Sequence, residues 1–174
     1  MALAIVIPMV AHGQLFKEVS LKKGINHKSS SLPSGVCVVD FDNDGWDDII
    51  FTSGLFDNTR TILYKNSNGN FIDYTTPSGL DILNSSKSNT VSVCSGDIDN
   101  DGYRDLLVTK YFCRTGLCNI TLLKNNNGYF TDITNSSGIN VPIWNQAITF
   151  ITLTLDGFLD IYISGYMNAY AESI

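Results

Sequence analysis

Three similar segments recur along the 174-residue chain at a nearly constant spacing. "FKEVSLKKGIN" begins at Phe16, "FIDYTTPSGLD" at Phe71 and "FTDITNSSGIN" at Phe130, so their starts are 55 and 59 residues apart. Each begins with an aromatic residue, continues through a Ser or Thr, and ends in Gly, then Ile or Leu, then Asn or Asp. A fixed period of this length indicates an array of similar units that bury their faces against one another.

The residues between these segments have the composition of β-strands. "GVCVVD" and "TVSVCSGD" are rich in β-branched residues, and "DIIFTSG" and "DLLVTKYF" follow after a short acidic loop. Asn68-Gly69 and Asn127-Gly128 are hairpin signals, and no stretch sustains the 3.6-residue period of a helix. The sequence therefore predicts an all-β fold of about three four-stranded units, at residues 16–70, 71–129 and 130–174, the last incomplete. Four short strands per unit is the size of a β-propeller blade.

Two acidic loops share the pattern Asp-x-Asp-x-Asp-Gly-x-x-Asp and lie 57 residues apart. Carboxylates this close repel one another, so the pattern predicts a bound cation that neutralises them. Ca²⁺ takes six to eight oxygen ligands, and alternate residues of a tight loop converge on one point while a backbone carbonyl joins at position 7. The sequence predicts two Ca²⁺ sites, with side-chain ligands Asp40, Asp42, Asp44 and Asp48 in the first loop, Asp97, Asp99, Asp101 and Asp105 in the second, and the carbonyls of Trp46 and Tyr103.

Two alternatives fit the loops less well. An EF-hand would place a carboxylate at position 12, where Phe51 and Val108 stand, and would have helices on both sides. An Asp-rich turn without metal would explain one loop, but not two at matching places in a repeat. The third unit has Thr152 and Thr154 in place of the first two aspartates and keeps Asp156 and Asp160. We expect this third loop to keep its turn and to lose the ion.

The acidic loop together with "LYKNSNGNFIDYTTPSGL" resembles the FG-GAP repeats, also called VCBS repeats, and the resemblance extends from Phe16 onward. Such repeats form β-propellers in the integrin α-chain head, in cartilage acidic protein and in many secreted bacterial proteins. The resemblance implies propeller blades with structural Ca²⁺. Because propellers close with about four to eight blades, we expect a partial propeller, completed by further blades of a longer chain or by association.

Two features bear on the cellular compartment. Residues 1–13 are largely apolar but too short to span a bilayer, so we expect a secretory signal cleaved after Gly13, with a buried strand as the alternative. The spacing of Cys113 and Cys118 fits a disulfide in an oxidising compartment, whereas Cys37 and Cys94 fit small buried apolar residues. Both features predict a secreted or cell-surface protein.

The remaining composition narrows the function. A net charge of −6 without a basic patch argues against nucleic acid as a partner. We expect a module that binds an extracellular protein or glycan, with the propeller part of a polysaccharide lyase as the alternative. Glu18, Asp73 and Asp132 recur at one place in the repeated segments, which favours a structural role over a catalytic one. No catalytic residue is predicted.

Overall fold

The computed structural model of the chain describes residues 16–27, 35–54, 59–84, 89–111, 118–139, 143–154 and 156–168. These residues form three antiparallel sheets that follow one another along the chain. The first sheet contains β1 (Val36–Val39), β2 (Asp48–Phe51), β3 (Ile62–Ser67) and β4 (Asn70–Asp73). The second contains β5 (Asn89–Gly96), β6 (Asp105–Tyr111), β7 (Cys118–Asn125) and β8 (Phe130–Asp132), and the third contains β9 (Ile143–Ile151) and β10 (Asp160–Asn168).

The predicted all-β class is confirmed. In both four-stranded sheets each strand pairs with the next one in the chain, and none of the three sheets is closed, which is consistent with a partial propeller. The short helices lie in or next to the recurrent segments: 3₁₀ helices at Leu21–Lys23 and Leu80–Asn84, and α1 at Thr134–Ser137. Within the described ranges, these helices lack the length and apolar content that crossing a membrane requires.

Strand register places the acidic loops at equivalent points of the first two sheets. Val39 of β1 pairs with Asp48 of β2, and the loop 40–47 connects them. Gly96 of β5 pairs with Asp105 of β6 in the same way, with the loop 97–104 between them. The repeat in the sequence is therefore a repeat in space, because each loop joins the first two strands of its sheet.

Two apolar layers separate the three sheets. The first layer consists of Cys37, Val39, Phe41, Ile50, Leu63, Leu80, Leu83, Val93, Leu106, Val108, Leu123 and Phe130. The second consists of Leu107, Ile120, Leu122 and Ile148, with Cys94 and Phe150 among the half-buried residues packed against it. Successive residues of a strand point to opposite faces, so the second sheet contributes Leu106 to one layer and Leu107 to the other. The apolar roles predicted for Cys37 and Cys94 are confirmed.

Hydrogen bonds between backbone and side-chain polar groups also join the first two sheets. The Gly35 N–H donates to the Val91 carbonyl, and the Gly54 N–H donates to the Thr90 carbonyl, both at 2.9 Å. The side chain of Ser53 lies 3.0 Å from that of Thr90, and both are buried. A buried polar group without a hydrogen-bond partner destabilises the fold, and here the two units supply partners for each other's buried groups.

Residues 1–13 and Cys113 lie outside the described residues, so the predicted signal and the Cys113–Cys118 disulfide stay predictions.

Truncating the packed face of the second sheet should destabilise the chain far more than truncating the open face of the first. Leu106 is fully buried between the two sheets, whereas Val36 is 57% exposed. We expect Leu106→Ala to lower the free energy of unfolding by about 2–5 kcal/mol, and Val36→Ala to change it by about 0.5 kcal/mol or less. Urea unfolding of the two variants measures this difference. Equal losses would contradict the packing of the sheets described above.

Candidate metal centre

The first two acidic loops have the same backbone conformation. The Asp40 carboxylate accepts hydrogen bonds from the N–H groups of Asp44 at 3.1 Å and Gly45 at 2.9 Å. Asp97 accepts the corresponding bonds from Asp101 and Gly102 at the same two distances. Both loops turn through two residues with positive φ, an Asn at 57° or 60° and a Gly at 88° or 89°. Asn and Gly tolerate this region best, which is why they stand there.

The last aspartate of each loop is buried and connects three segments. Asp48 accepts a bond from the Phe41 N–H at 3.2 Å and another from the Asn66 N–H at 2.7 Å. Asp105 repeats both bonds, at 2.9 Å and 2.7 Å. Burial raises the pKa of Asp48 to about 6 against the opposing effect of the N–H donors, with a smaller contribution from the neighbouring carboxylates. Burial raises the pKa of Asp105 as well. A bound cation would favour the charged forms of both groups.

Three carboxylates converge in each loop. Asp40, Asp42 and Asp48 each present an oxygen within 4.8 Å of the others, and Asp97, Asp99 and Asp105 do the same. One Asp42 oxygen, Oδ1, is buried without a hydrogen-bond partner among the residues that the structure describes. An orphaned carboxylate oxygen beside other carboxylates is stabilised by a cation, and an all-oxygen donor set suits Ca²⁺. These residues fit the predicted ion.

The other expected ligands are placed differently. Asp44 accepts a bond from the Trp46 N–H at 2.9 Å, and Asp101 accepts one from the Tyr103 N–H at 2.9 Å. Neither aspartate belongs to the converging set of three in its loop. A hydrogen bond from Lys65, followed by the Trp46 N–H, lowers the pKa of Asp44. The coordinating roles of Asp44 and Asp101, and of the Trp46 and Tyr103 carbonyls, stay predictions.

One lysine bonds to the aspartates of each of the first two loops, and these two contacts were not predicted from the sequence. Lys65 of β3 bonds to Asp42 and lies 3.0 Å from Asp44. Lys124 of β7 bonds to Asp99 and lies 3.3 Å from Asp101. Partial burial works to lower the pKa of Lys65, but its bonds to the carboxylates outweigh burial and raise it. The sequence feature that could have predicted these contacts is the lysine shared by "LYKN" and "LLKN", 59 residues apart.

The third loop keeps its turn, as predicted. Asp160 accepts bonds from the N–H groups of Leu153 at 2.8 Å and Thr154 at 3.0 Å, and Asp156 accepts one from Phe158 at 3.0 Å. Gly157 has the same positive φ, 88°, as the loop glycines of the first two units. Across the described ranges, acidic side chains converge in threes only in the first two loops. Loss of the ion from the third loop stays a prediction.

Asparagine side chains link successive loops, which the sequence analysis also missed. The Asn43 amide donates to the Gly102 carbonyl at 3.0 Å, and the Asn100 amide donates to the Gly157 carbonyl at 3.1 Å. Asn125 of the second unit donates to the Phe41 carbonyl of the first at 2.7 Å. The sequence feature that could have predicted the bonds between loops is an Asn at the same loop position in both units. Each acidic loop is therefore held in part by the next unit.

The recurring acids outside the loops have the same local role. Glu18 accepts a bond from the Ser20 N–H at 2.7 Å. Asp73 accepts from the Thr75 N–H at 3.1 Å, and Asp132 accepts from the Thr134 N–H at 2.9 Å. In all three cases the donor is two residues further along the chain, which stabilises a turn. This is the structural role expected from the repetition of these residues.

Comparison with known proteins identifies the repeat. The family model described as FG-GAP-like repeat matches residues 40–108, which run from the first aspartate of the first loop through the second loop. Over these residues the match confirms the resemblance to FG-GAP repeats seen in the sequence. No match was found among curated proteins.

The asparagines before the two hairpin turns provide a matched pair of substitutions. Asn66 and Asn125 each accept a bond from a turn glycine and donate to the backbone of the loop in their own unit, but only Asn125 also bonds to Phe41 of the neighbouring unit. We expect Asn125→Ala to lower the free energy of unfolding by about 1–3 kcal/mol more than Asn66→Ala, because a buried carbonyl loses its partner. Urea denaturation of both variants without calcium tests this. Identical losses would show that the bond between units contributes nothing.

Proposed function

We propose that the chain is a secreted or cell-surface, calcium-binding β-propeller repeat module that binds an extracellular protein or glycan. The observation that carries the calcium part is the recurrence of one geometry: in two successive units, three aspartate oxygens lie within 4.8 Å of one another. In the first unit, the Oδ1 atom of Asp42 is buried and has no hydrogen-bond partner within the described ranges. A solvated acidic surface has no reason to repeat this arrangement.

In this proposal the ion is structural. Ca²⁺ would be held by Asp40, Asp42 and Asp48 in the first unit and by Asp97, Asp99 and Asp105 in the second, where it supplies positive charge to groups that otherwise repel. Asp48 and Asp105 already bond to the third strand of their sheets, so fixing them fixes the strand pairing. An ion that binds only the folded state adds about 2.7 kcal/mol at a hundredfold excess over Kd.

An aromatic residue at one loop position supports partner binding on the loop side of the sheets. Trp46, Tyr103 and Phe158 each follow the turn glycine of their loop. Trp46 and Phe158 are 45% and 56% exposed, and Tyr103 is half-buried. Exposed aromatic rings provide rigid contact area for the apolar faces of sugars and for protein side chains. We therefore propose that a partner contacts the loop side of the sheets.

Secretion is the third part of the proposal. Its support is the short apolar segment at residues 1–13 and the spacing of Cys113 and Cys118. Intact mass measurement of protein exported by a secretory host should give a chain that begins at Gln14. A retained Met1 on exported protein would contradict cleavage after Gly13.

Calcium titration tests the central part of the proposal. We expect two Ca²⁺ ions per chain by calorimetry on calcium-stripped protein, and a melting temperature that rises with free Ca²⁺. Asp42→Ala and Asp99→Ala should each remove one site, because each deletes one of three converging carboxylates. Asp156→Ala is the matched control, since it alters an acidic loop that we expect to bind no ion. A stoichiometry of zero in the parent chain would refute the proposal, and a stoichiometry of three would refute our interpretation of the third loop.

Binding to polysaccharides tests the partner and separates the lyase alternative. If the partner is a glycan, the chain should be retained on one or more members of a panel of immobilised neutral and acidic polysaccharides when calcium is present. Trp46→Ala should weaken retention, whereas Ile72→Ala, which removes an exposed apolar side chain from β4, should not. Equal retention of the two variants would contradict an aromatic contact surface, and eliminative cleavage of the polysaccharide would favour the lyase.

A further inference from the structure

Each of the first two acidic loops contains a positive charge supplied by its own sheet. Lys65 on β3 and Lys124 on β7 occupy the same place, directly before the Asn that precedes the hairpin turn. Each ammonium group bonds to the second aspartate of its loop and lies within 3.3 Å of the third. Both lysines belong to strands that are paired on both sides, so the strand register sets their position beside the carboxylates.

The two lysines have different surroundings. The Lys65 ammonium lies 5.7 Å from the ring centres of both Phe41 and Tyr74, a distance at which aromatic rings attract a cation. In the second unit Ile98 and Ile133 stand at the corresponding positions. The carboxylates differ too, since the Asp42 side chain is 19% exposed and the Asp99 side chain 41%. Lys65 is therefore the more firmly held of the pair.

A fixed ammonium group has two opposite effects on an acidic loop. Without a metal ion it neutralises part of the repulsion between carboxylates, which stabilises the folded loop. With a metal ion it places a like charge beside two of the candidate ligands, which weakens cation binding. Both effects have the same origin, so a variant that removes the charge should show both together.

We propose that Lys65 and Lys124 are tethered counter-cations that keep the acidic loops folded without calcium and lower their affinity for it, Lys65 more than Lys124. The affinity part of this inference rests on the calcium binding proposed above, and the stability part does not. Ca²⁺ would then bind beside a positive charge that is already in the loop, and the lysines would raise the free Ca²⁺ concentration needed to load the sites.

The test uses Lys65→Met and Lys124→Met, which keep the length of the side chain and remove its charge. Lys65→Arg keeps the charge, and Lys22→Met removes the charge of an exposed lysine in the 3₁₀ helix Leu21–Lys23. Calcium affinity is measured by calorimetry for each variant, and for Lys65→Met also in an Asp99→Ala background that leaves only the first loop. Thermal melts are recorded in chelator and at saturating Ca²⁺.

We expect Lys65→Met to bind Ca²⁺ about tenfold more tightly and to melt at least about 2 °C lower in chelator, with most of that deficit removed at saturating Ca²⁺. Lys124→Met should change in the same directions by less, and Lys65→Arg should stay near the parent chain. An affinity equal to that of Lys22→Met, or a melting deficit that calcium does not reduce, would overturn the inference.

The same affinity and melting measurements test this inference separately from the proposed function. If the parent chain binds no calcium, the proposed function and the affinity effect both fail. The counter-cation role is then decided by the melts in chelator alone, where Lys65→Met must fall below Lys22→Met. If Lys65→Met does not fold, Lys124→Met decides both effects in the second loop. Calcium binding in the parent chain with unchanged affinity in Lys124→Met would then reject the inference and leave the function standing.

Discussion

The structure depends on the carboxylate that begins the second strand of each sheet. Asp48 and Asp105 are buried, and each accepts one N–H from its own loop and one from the third strand. Asp160 makes the loop part of this arrangement in the third unit. One negative group therefore fixes the loop, the β1–β2 connection and the neighbouring strand. This explains why the third loop keeps Asp160 after losing two other aspartates.

This use of buried carboxylates creates the electrostatic cost that the rest of each loop offsets. Backbone N–H groups and one lysine per loop already compensate part of the charge, and a cation would compensate the remainder. The carboxylates are thus compatible with a folded loop before any ion binds. In the proposed function, Ca²⁺ would add to a loop that these groups already hold in part, which would distinguish the loops from metal sites that are unfolded when empty.

Local chemistry made much of the fold predictable from the sequence. The period of the repeat, the β-branched runs and the Asn-Gly turns each report on a few adjacent residues, and they predicted the sheets and both acidic loops. Contacts between units were not predictable in this way. The bonds from Asn43 to Gly102 and from Asn125 to Phe41 depend on how one sheet stacks on the next. The Lys65–Asp42 pair likewise joins residues 23 apart, which only the strand register brings together.

The most direct measurement of the cation site uses Tb³⁺, a luminescent ion that takes oxygen ligands as Ca²⁺ does, excited through Trp46 in the first loop. The account predicts tryptophan-sensitised Tb³⁺ emission that Ca²⁺ displaces and that Trp46→Phe and Asp42→Ala each reduce. Asp156→Ala should leave this emission unchanged. Absence of sensitised emission in the parent chain, or emission of undiminished intensity in Asp42→Ala, would contradict a metal centre at the converging carboxylates.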